Sequence, residues 1–506
     1  MKWTDGFFPW SSNVIHFLNC GKFAAMQDRP VKKNQELELV ITDMAFGGVA
    51  IGKIPTEQGD FTVFVQNAIP GQRVLARVDK AQKRFAECKL VKVLETSEQE
   101  VKIPFQAIPG APYATLPIEL QHHYKKRNTL ELFKRIAKLE HIESCMDAFI
   151  ESPSVWHYRN KMEYAFSVIR YDLEEEKEYD DFGLGFKHRG TWWCVENLDR
   201  DSGLMDEELE SKLCELRRWC ISTGLPAWHP PGHHGFFRYL IVRKSYATNQ
   251  LLINLVTSEQ RVSEFNGQAF VEFIRKLFGE RVAGVIHTIN PNTGDRIDPL
   301  NGKTIQLYGE PVIAETINGL RFEIGMTSFF QTNPKSAERL YSKVIEYASL
   351  DDNRDDAVVM DLFCGTGTIT QLLGQASKRK VVGVDIVEDA IEDAKRNAAR
   401  NGVSNVEFFA ADVGSFLLQY PEYTGKIDCI VLDPPRGGIA PKTLRKVIRL
   451  GARRIVYVSC NPATQARDTL DLMEAGYTLR KLSMVDQFPH TSHIETVALF
   501  EMDSTK

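Results

Sequence analysis

From residue 326 onward the chain alternates short β-branched runs with helical segments, and that alternation leaves few architectures open. Val358-Val359-Met360-Asp361-Leu362-Phe363 reads as a strand, Gly365-Thr366-Gly367-Thr368 as a tight loop, and the residues to about 377 as a helix. Val381 to Asp385 is the next strand, 388–401 a helix, Val406 to Phe409 a strand and Ile427 to Leu432 another. Strands separated by helices pair in parallel and bury both faces. The expectation over residues 326–506 is a doubly wound α/β sheet. Ile455-Val456-Tyr457-Val458-Ser459 adds a buried strand that breaks at Asn461-Pro462, because proline donates to no ladder and restricts the residue before it. Cys460 therefore sits at a strand's C-terminal edge, where such sheets bind ligands. A small buried core cysteine is the other reading of that position.

The rest of the chain divides into three parts. Residues 1–30 form an N-terminal extension whose apolar stretches, Phe7-Phe8-Pro9-Trp10 and Val14 to Leu18, are too short and interrupted for a secretory signal, and Met26 is a second candidate start. Residues 31–95 carry short strands separated by Phe46-Gly47-Gly48 and Pro70-Gly71, the pattern of a small OB-like β-barrel. Arg73, Arg77, Lys80, Lys83, Arg84, Lys89 and Lys92 crowd its end, either as a solvated face or as a surface that tracks phosphates. Residues 96–325 are a mixed α+β central domain. Its helix 117–142 has Leu130, Leu132, Phe133, Ile136 and Leu139 on one face, with Lys125, Lys126, Arg127, Lys134 and Arg135 more exposed. A second helix is expected over 206–222 and an acidic hairpin tip or loop over 173–181. Tyr158-Arg159-Asn160-Lys161 and the stretch Arg238 to Arg243 add basic and aromatic groups.

Composition narrows the function classes. With 43% hydrophobic and 25% charged residues this is the make-up of a soluble globular protein, and no apolar run is long enough to span a membrane. The net charge of −5 speaks against a generally basic nucleic-acid coat, so any RNA contact must come from local patches. Nine cysteines without a paired framework suit a reducing cytoplasm.

Several motifs carry chemistry. The glycines of Asp361-x-x-x-Gly365-x-Gly367 let a backbone approach a ligand closely. Asp385, ending the next strand, is placed to accept hydrogen bonds from a ribose diol. The full GxGxxG is absent, which speaks against a nicotinamide or flavin cofactor. Asp361, the short glycine loop, Asp385 and Asp412 together resemble the S-adenosylmethionine-binding methyltransferases. In Asp433-Pro434-Pro435-Arg436, Arg436 stands where amine-directed enzymes of that kind carry an aromatic residue, and its fork of donors suits a carbonyl or phosphate. Phe329 can stack on a base or pack, and Gln331 can read an amide-like edge or cap a helix. Glu495 is a candidate base or a charged strand start. His490 and His493, with no cysteine or carboxylate cluster beside them, are expected to make structural hydrogen bonds, and no metal site is expected.

Taken in order, FFQTN, DLFCGTGTI, DPPRGG, VSCNPAT and PHTSHIE resemble the RNA (uracil-5-)-methyltransferase family, and residues 31–95 resemble its TRAM domain. The resemblance implies a Rossmann-like methyltransferase domain, S-adenosylmethionine as methyl donor and RNA as partner, with no obligate protein partner evident. It implies Cys460 as nucleophile and Glu495 as base. Phe329, Gln331, Asp433 and Arg436 are implied near the uracil, and Gln331, Phe363, Thr368, Asp385, Asp412 and Asp433 near the donor. Thr368 stands where some members have asparagine, and Asp385 where many have glutamate; both keep a polar group. The TRAM barrel points to the 23S ribosomal-RNA branch, with the tRNA T-loop as the alternative substrate. Many members of that branch carry an iron–sulfur cluster on cysteines just after the barrel. Residues Ile103 to Pro112 contain none, so no cluster is expected here and the central domain is expected to rely on apolar packing through Trp192 and Trp193. Helix 117–142 is expected to pack on the catalytic domain.

Overall fold

The computed structural model describes residues 30–57, 59–294, 301–350, 357–423 and 425–503. The N-terminal extension, apart from Pro30, lies outside them. Glu36–Ala45, Val49–Thr56, Gly59–Gln66, Arg73–Ala81 and Phe85–Glu95 close into a barrel. Leu37, Leu39 and Ile41 of the first strand point inward, as the two-residue period of a strand dictates. Antiparallel pairing of the first strand with the fourth completes the closure. The barrel is anchored: Tyr113 Oη donates to the Gly48 carbonyl at 2.7 Å, and Arg127 donates to Asp43 Oδ1 at 2.6 Å. Gly48 has no room for a side chain, since a Cβ would lie 2.2 Å from that Tyr113 oxygen.

The central sheet has seven strands, in the order Lys303–Gly309, Val282–Asn290, Leu251–Ser258, Phe237–Lys244, Lys161–Asp172, Lys177–Lys187 and Val195–Asn197. Phe166, Phe236, Phe237, Leu240 and Phe270 gather in its core. Trp192 and Trp193 do not hold it together. Trp192 is 47% exposed, and the two indoles meet edge-on outside that core. The helix expected over 206–222 is two, Glu207–Ser211 and Leu213–Ser222, parted at Lys212. The acidic tip is shorter than expected because the strand resumes at Lys177, where exposed positions tolerate its charges.

The C-terminal sheet has eight strands, in the order Val406–Ala410, Val381–Asp385, Val358–Leu362, Ile427–Leu432, Arg454–Ser459, Glu495–Met502, Tyr477–Val485 and Met146–Ile150. The first five run parallel, as the α/β alternation predicts. Glu495–Met502 runs against its neighbours on both sides. Met146–Ile150, from far upstream, adds an edge strand parallel to Tyr477–Val485.

The helix expected over 117–142 spans Ile118–Arg135. Lys138 then turns through a left-handed φ of 59°, which no helix continues. Phe133, Ala137 and Ile142 share one core with Leu444, Ala466, Leu472 and Leu482, so this segment packs on the C-terminal sheet. Lys125 is not on the exposed face. It is 6% exposed, and its ammonium bonds Asp486 Oδ1 and the Phe488 carbonyl, which a helix face turned toward solvent could not offer.

Candidate active site

The reversed strand sets the geometry of the site. Parallel strands deliver their last residues to one edge of the sheet, and Asp385, Asp433 and Cys460 end or follow such strands. A strand running the other way delivers its first residue to that edge. Ser459 pairs with Thr496, so Cys460 and Glu495 lie one step beyond, side by side. Cys460 is half-buried and Glu495 is 4% exposed. Asn461 Oδ1 accepts from the Ala463 amide at 3.2 Å, capping the helix Pro462–Glu474 with Pro462 in its first turn. Its Nδ2 donates to the Arg436 carbonyl at 3.1 Å. One amide thus ties the cysteine, the helix start and the DPPR turn together.

Acidic groups crowd this edge. Burial pushes the Cys460 thiol up, Glu495 and Asp433 push it further, and Arg436 opposes them. Burial and then Asp433 hold the Glu495 carboxyl well above the usual range, again against Arg436. Burial pushes Asp433 up to about 7. The four groups share one poorly solvated site, in which a single proton or cation alters all of them.

The segment 328–333 is clamped by the central domain. Arg243 Nη2 donates to the Ser328 carbonyl at 2.8 Å, the Asn160 amide N–H to the Thr332 carbonyl at 2.8 Å, and Asn160 Nδ2 to the Gln331 carbonyl at 3.1 Å. Asn333 then caps the helix Pro334–Ala348 by accepting from the Ser336 amide. Held on both sides, the segment leaves the Phe329 ring 57% exposed. Gln331 Oε1 accepts from Gln487 Nε2 at 3.4 Å. In the sequence, Asn160 and Arg243 show only as members of basic, aromatic stretches. Their clamping role had no local signal there. Trp156 stacks on His490 at 3.7 Å between ring centroids, and Tyr158 Oη donates to the Pro489 carbonyl, so the same stretch also holds the PHTSHIE loop.

At the glycine loop, Gly365 and Gly367 adopt φ of 53° and 73°. A Cβ on Gly367 would lie 2.5 Å from the Phe408 ring. Phe363 takes a left-handed φ of 67°, unusual for a side chain of its size. Asp385 Oδ2 accepts from the Gly365 amide and Oδ1 from the Val387 amide, both at 2.9 Å, leaving each oxygen a further lone pair. Thr368 opens the helix Thr368–Ala376 and is buried, whereas Asp412 is exposed after its strand. Asp361 Oδ2 accepts from Thr370 Oγ1 at 2.6 Å, while its Oδ1 is buried with no partner among the described residues. Asp385, with a lone pair left on each oxygen, suits a diol such as that of a ribose, so this end fits a ligand that carries a nucleoside. Among the described residues, no group of three or more His, Cys, Asp or Glu is placed to hold a metal ion, and no helix is long and apolar enough to cross a membrane.

Comparison with known proteins agrees with this chemistry. The family model described as tRNA (Uracil-5-)-methyltransferase matches residues 316–503, and that of the TRAM domain residues 30–91. An uncharacterised RNA methyltransferase of Clostridium acetobutylicum is 36% identical over 93% of this chain and 98% of its own. One of Caldanaerobacter subterraneus is 37% identical over 93% of this chain and 99% of its own. Among solved structures, Pyrococcus abyssi tRNA (uracil-54, C5)-methyltransferase in complex with S-adenosyl-L-homocysteine superposes with a TM-score of 0.66. It is 25% identical and covers 92% of this chain and 100% of its own. Relatives this similar over nearly their whole length, and a family model lying on the sheet that carries Cys460 and Glu495, lead to one conclusion: the chain belongs to the RNA (uracil-5-)-methyltransferase family and is an RNA methyltransferase that draws on S-adenosylmethionine.

Proposed function

We propose that this enzyme forms 5-methyluridine in RNA through a transient bond between Cys460 and C6 of the target uracil. What carries the reading is the pairing of Ser459 with Thr496, which leaves a cysteine and a carboxyl adjacent at the ligand-binding edge. Uracil C5 is a poor nucleophile. Once the Cys460 thiol has given its proton to solvent, the thiolate adds to C6 and moves the C5–C6 π electrons toward O4, so C5 becomes carbon-nucleophilic. Arg436 and Gln331 donate to the developing oxyanion, and Phe329 stacks on the ring. When bound, S-adenosylmethionine supplies an electrophilic methyl group and a positive charge that counters the effect of burial on the acidic cluster. Gln331, Phe363, Thr368, Asp385, Asp412 and Asp433 would hold it, with Asp385 on the ribose hydroxyls. Once C5 carries the methyl, Glu495 takes the C5 proton, the C5–C6 double bond re-forms and the Cys460 sulfur leaves. Atoms C5 and C6 cannot be attacked within a base stack, so the target uridine is flipped out or unstacked in a loop.

Two RNA classes follow from two observations. The TRAM barrel supports large-subunit ribosomal RNA, the substrate we propose first, acted on in the cytoplasm, where free cysteines such as those described here persist. The likeness to the Pyrococcus tRNA enzyme supports the tRNA T-loop. The part of this chain which that enzyme leaves uncovered is smaller than the barrel, so the barrel alone does not separate the two substrates. Mapping 5-methyluridine in total RNA from cells with and without the protein tests both readings. Loss of a ribosomal site supports the first, and loss confined to the T-loop supports the second. An unchanged map refutes uridine C5 methylation.

A further inference from the structure

The catalytic reading leaves His493 without a role, although it lies two residues before Glu495 and touches Arg436. Arg436 Nη2 and His493 Nδ1 are 2.8 Å apart. A guanidinium only donates, so Nδ1 accepts, and the imidazole carries its proton on Nε2. The ring can act this way because it is uncharged. Burial pushes His493 down to about 3, and the nearby cations Arg436, Lys125 and Arg159 act in the same direction. Its backbone is fixed as well, since the His493 amide donates to Thr491 Oγ1 at 3.2 Å and its ring meets Phe488 edge-on. At its other end Arg436 is held by Asn461 Nδ2 on its carbonyl.

Arg436 matters to the whole cluster, because its charge favours the ionised forms of both Cys460 and Glu495. A long arginine side chain at an RNA-binding edge has a competing choice, the phosphate backbone. From this geometry we infer that His493 is the positioning residue for Arg436. Its Nδ1 keeps the guanidinium beside Cys460 and Glu495, directed at a ring carbonyl rather than at a phosphate. The inference rests on the covalent mechanism proposed above.

The test uses the full-length enzyme and RNA containing 5-fluorouridine at the mapped site. Fluorine cannot leave as a cation, so the Cys460 adduct accumulates and its rate of formation is read on denaturing gels. Asparagine places an acceptor oxygen near the position of Nδ1, whereas glutamine places it farther out. His493→Asn is expected to form adduct within a few-fold of wild type, and His493→Gln and His493→Leu roughly tenfold or more slowly, the scale of a misplaced oxyanion donor. S-adenosylhomocysteine affinity is expected to be unchanged in all three. In an Arg436→Gln background His493→Leu is expected to cost nothing further, because its effect passes through Arg436. Additive losses, or equal rates for His493→Asn and His493→Gln, overturn the inference. If wild type itself forms no adduct, the covalent reading fails instead.

Discussion

Lys125 Nζ donates to Asp486 Oδ1 at 2.6 Å, joining two residues 361 positions apart. The pair bonds the helix Ile118–Arg135 to the segment that leads into the PHTSHIE loop. Burial pushes Lys125 down and Asp486 restores part of that, while Lys125 and His122 together hold Asp486 below the usual carboxylate range despite its burial. Removing one member of a buried pair leaves the other charge poorly compensated. Lys125→Met is expected to lower unfolding stability in urea by about 3 kcal/mol. A double variant, Lys125→Met with Asp486→Leu, is expected to recover part of that loss.

Cys460 and Glu495 are expected to fail at different steps. Cys460→Ala should abolish turnover while RNA and donor still bind. Glu495→Gln should transfer the methyl group and then stall as a covalent protein–RNA adduct, since elimination requires loss of the C5 proton. Denaturing gels with labelled donor would show a shifted, labelled band for Glu495→Gln alone. An adduct persisting in Cys460→Ala would move the nucleophile elsewhere, with Cys364 next to test. Its thiol, however, is pushed well up by burial and by Asp361.

Asp385→Ala is expected to weaken S-adenosylmethionine binding by about 1–3 kcal/mol, the cost of losing a charge-assisted hydrogen bond. The same carboxylate holds the amides of Gly365 and Val387, so Asp385→Asn should lose less than Asp385→Ala. Calorimetry decides, and an unchanged affinity would place the ribose elsewhere.

Asp361 predicts an unusual pH dependence. Burial pushes its carboxyl up to about 8, although Thr370 opposes this. Between the usual carboxylate range and that value, the folded protein holds a proton that the unfolded chain has released. Stability from this group therefore falls as pH rises from about 4 to about 8 and is level beyond. Between pH 5 and 8.5, wild type is expected to lose about 2–4 kcal/mol relative to Asp361→Asn, measured by urea unfolding at each pH. Parallel profiles for the two proteins would show that the carboxyl is ionised throughout.

The cationic end of the barrel is narrower than its composition indicates. Arg73 pairs with Glu38 and Glu95, Lys80 with Glu87, and Lys92 with Glu176. Arg77, Lys83, Arg84 and Lys89 are exposed, with no ion pair among the described residues. Replacing these four by glutamine is expected to weaken RNA binding and to flatten the slope of log affinity against log salt by about 0.7 per lost contact to a single strand. Donor affinity should not change. Equal salt slopes would make the barrel structural.

The strands Val358–Leu362, Val381–Asp385 and Ile427–Leu432 and the helix Glu388–Asn401 were legible in the sequence within a residue or so. Each is announced locally, by a β-branched run, a glycine or a capping residue, and five parallel strands leave the chain one sheet type. Cys460 was legible as an edge residue for the same reason, since proline breaks the strand just after it. What sets Glu495 beside it was not. Glu495–Met502 pairs with Arg454–Ser459, a strand that is not its neighbour in the chain, and no short-range pattern names a partner that far upstream. The burial of Lys125, the addition of Met146–Ile150 to a sheet built mostly from residues after 357, and the clamp of Asn160 and Arg243 on 328–333 have the same origin. Each is a contact between segments far apart in the chain, decided by where packing brings them rather than by the residues next to them. Local pattern specified the parallel strands, the edge they point to and the groups they carry there, because each is written in neighbouring residues; which of those groups touch follows from how distant segments pack.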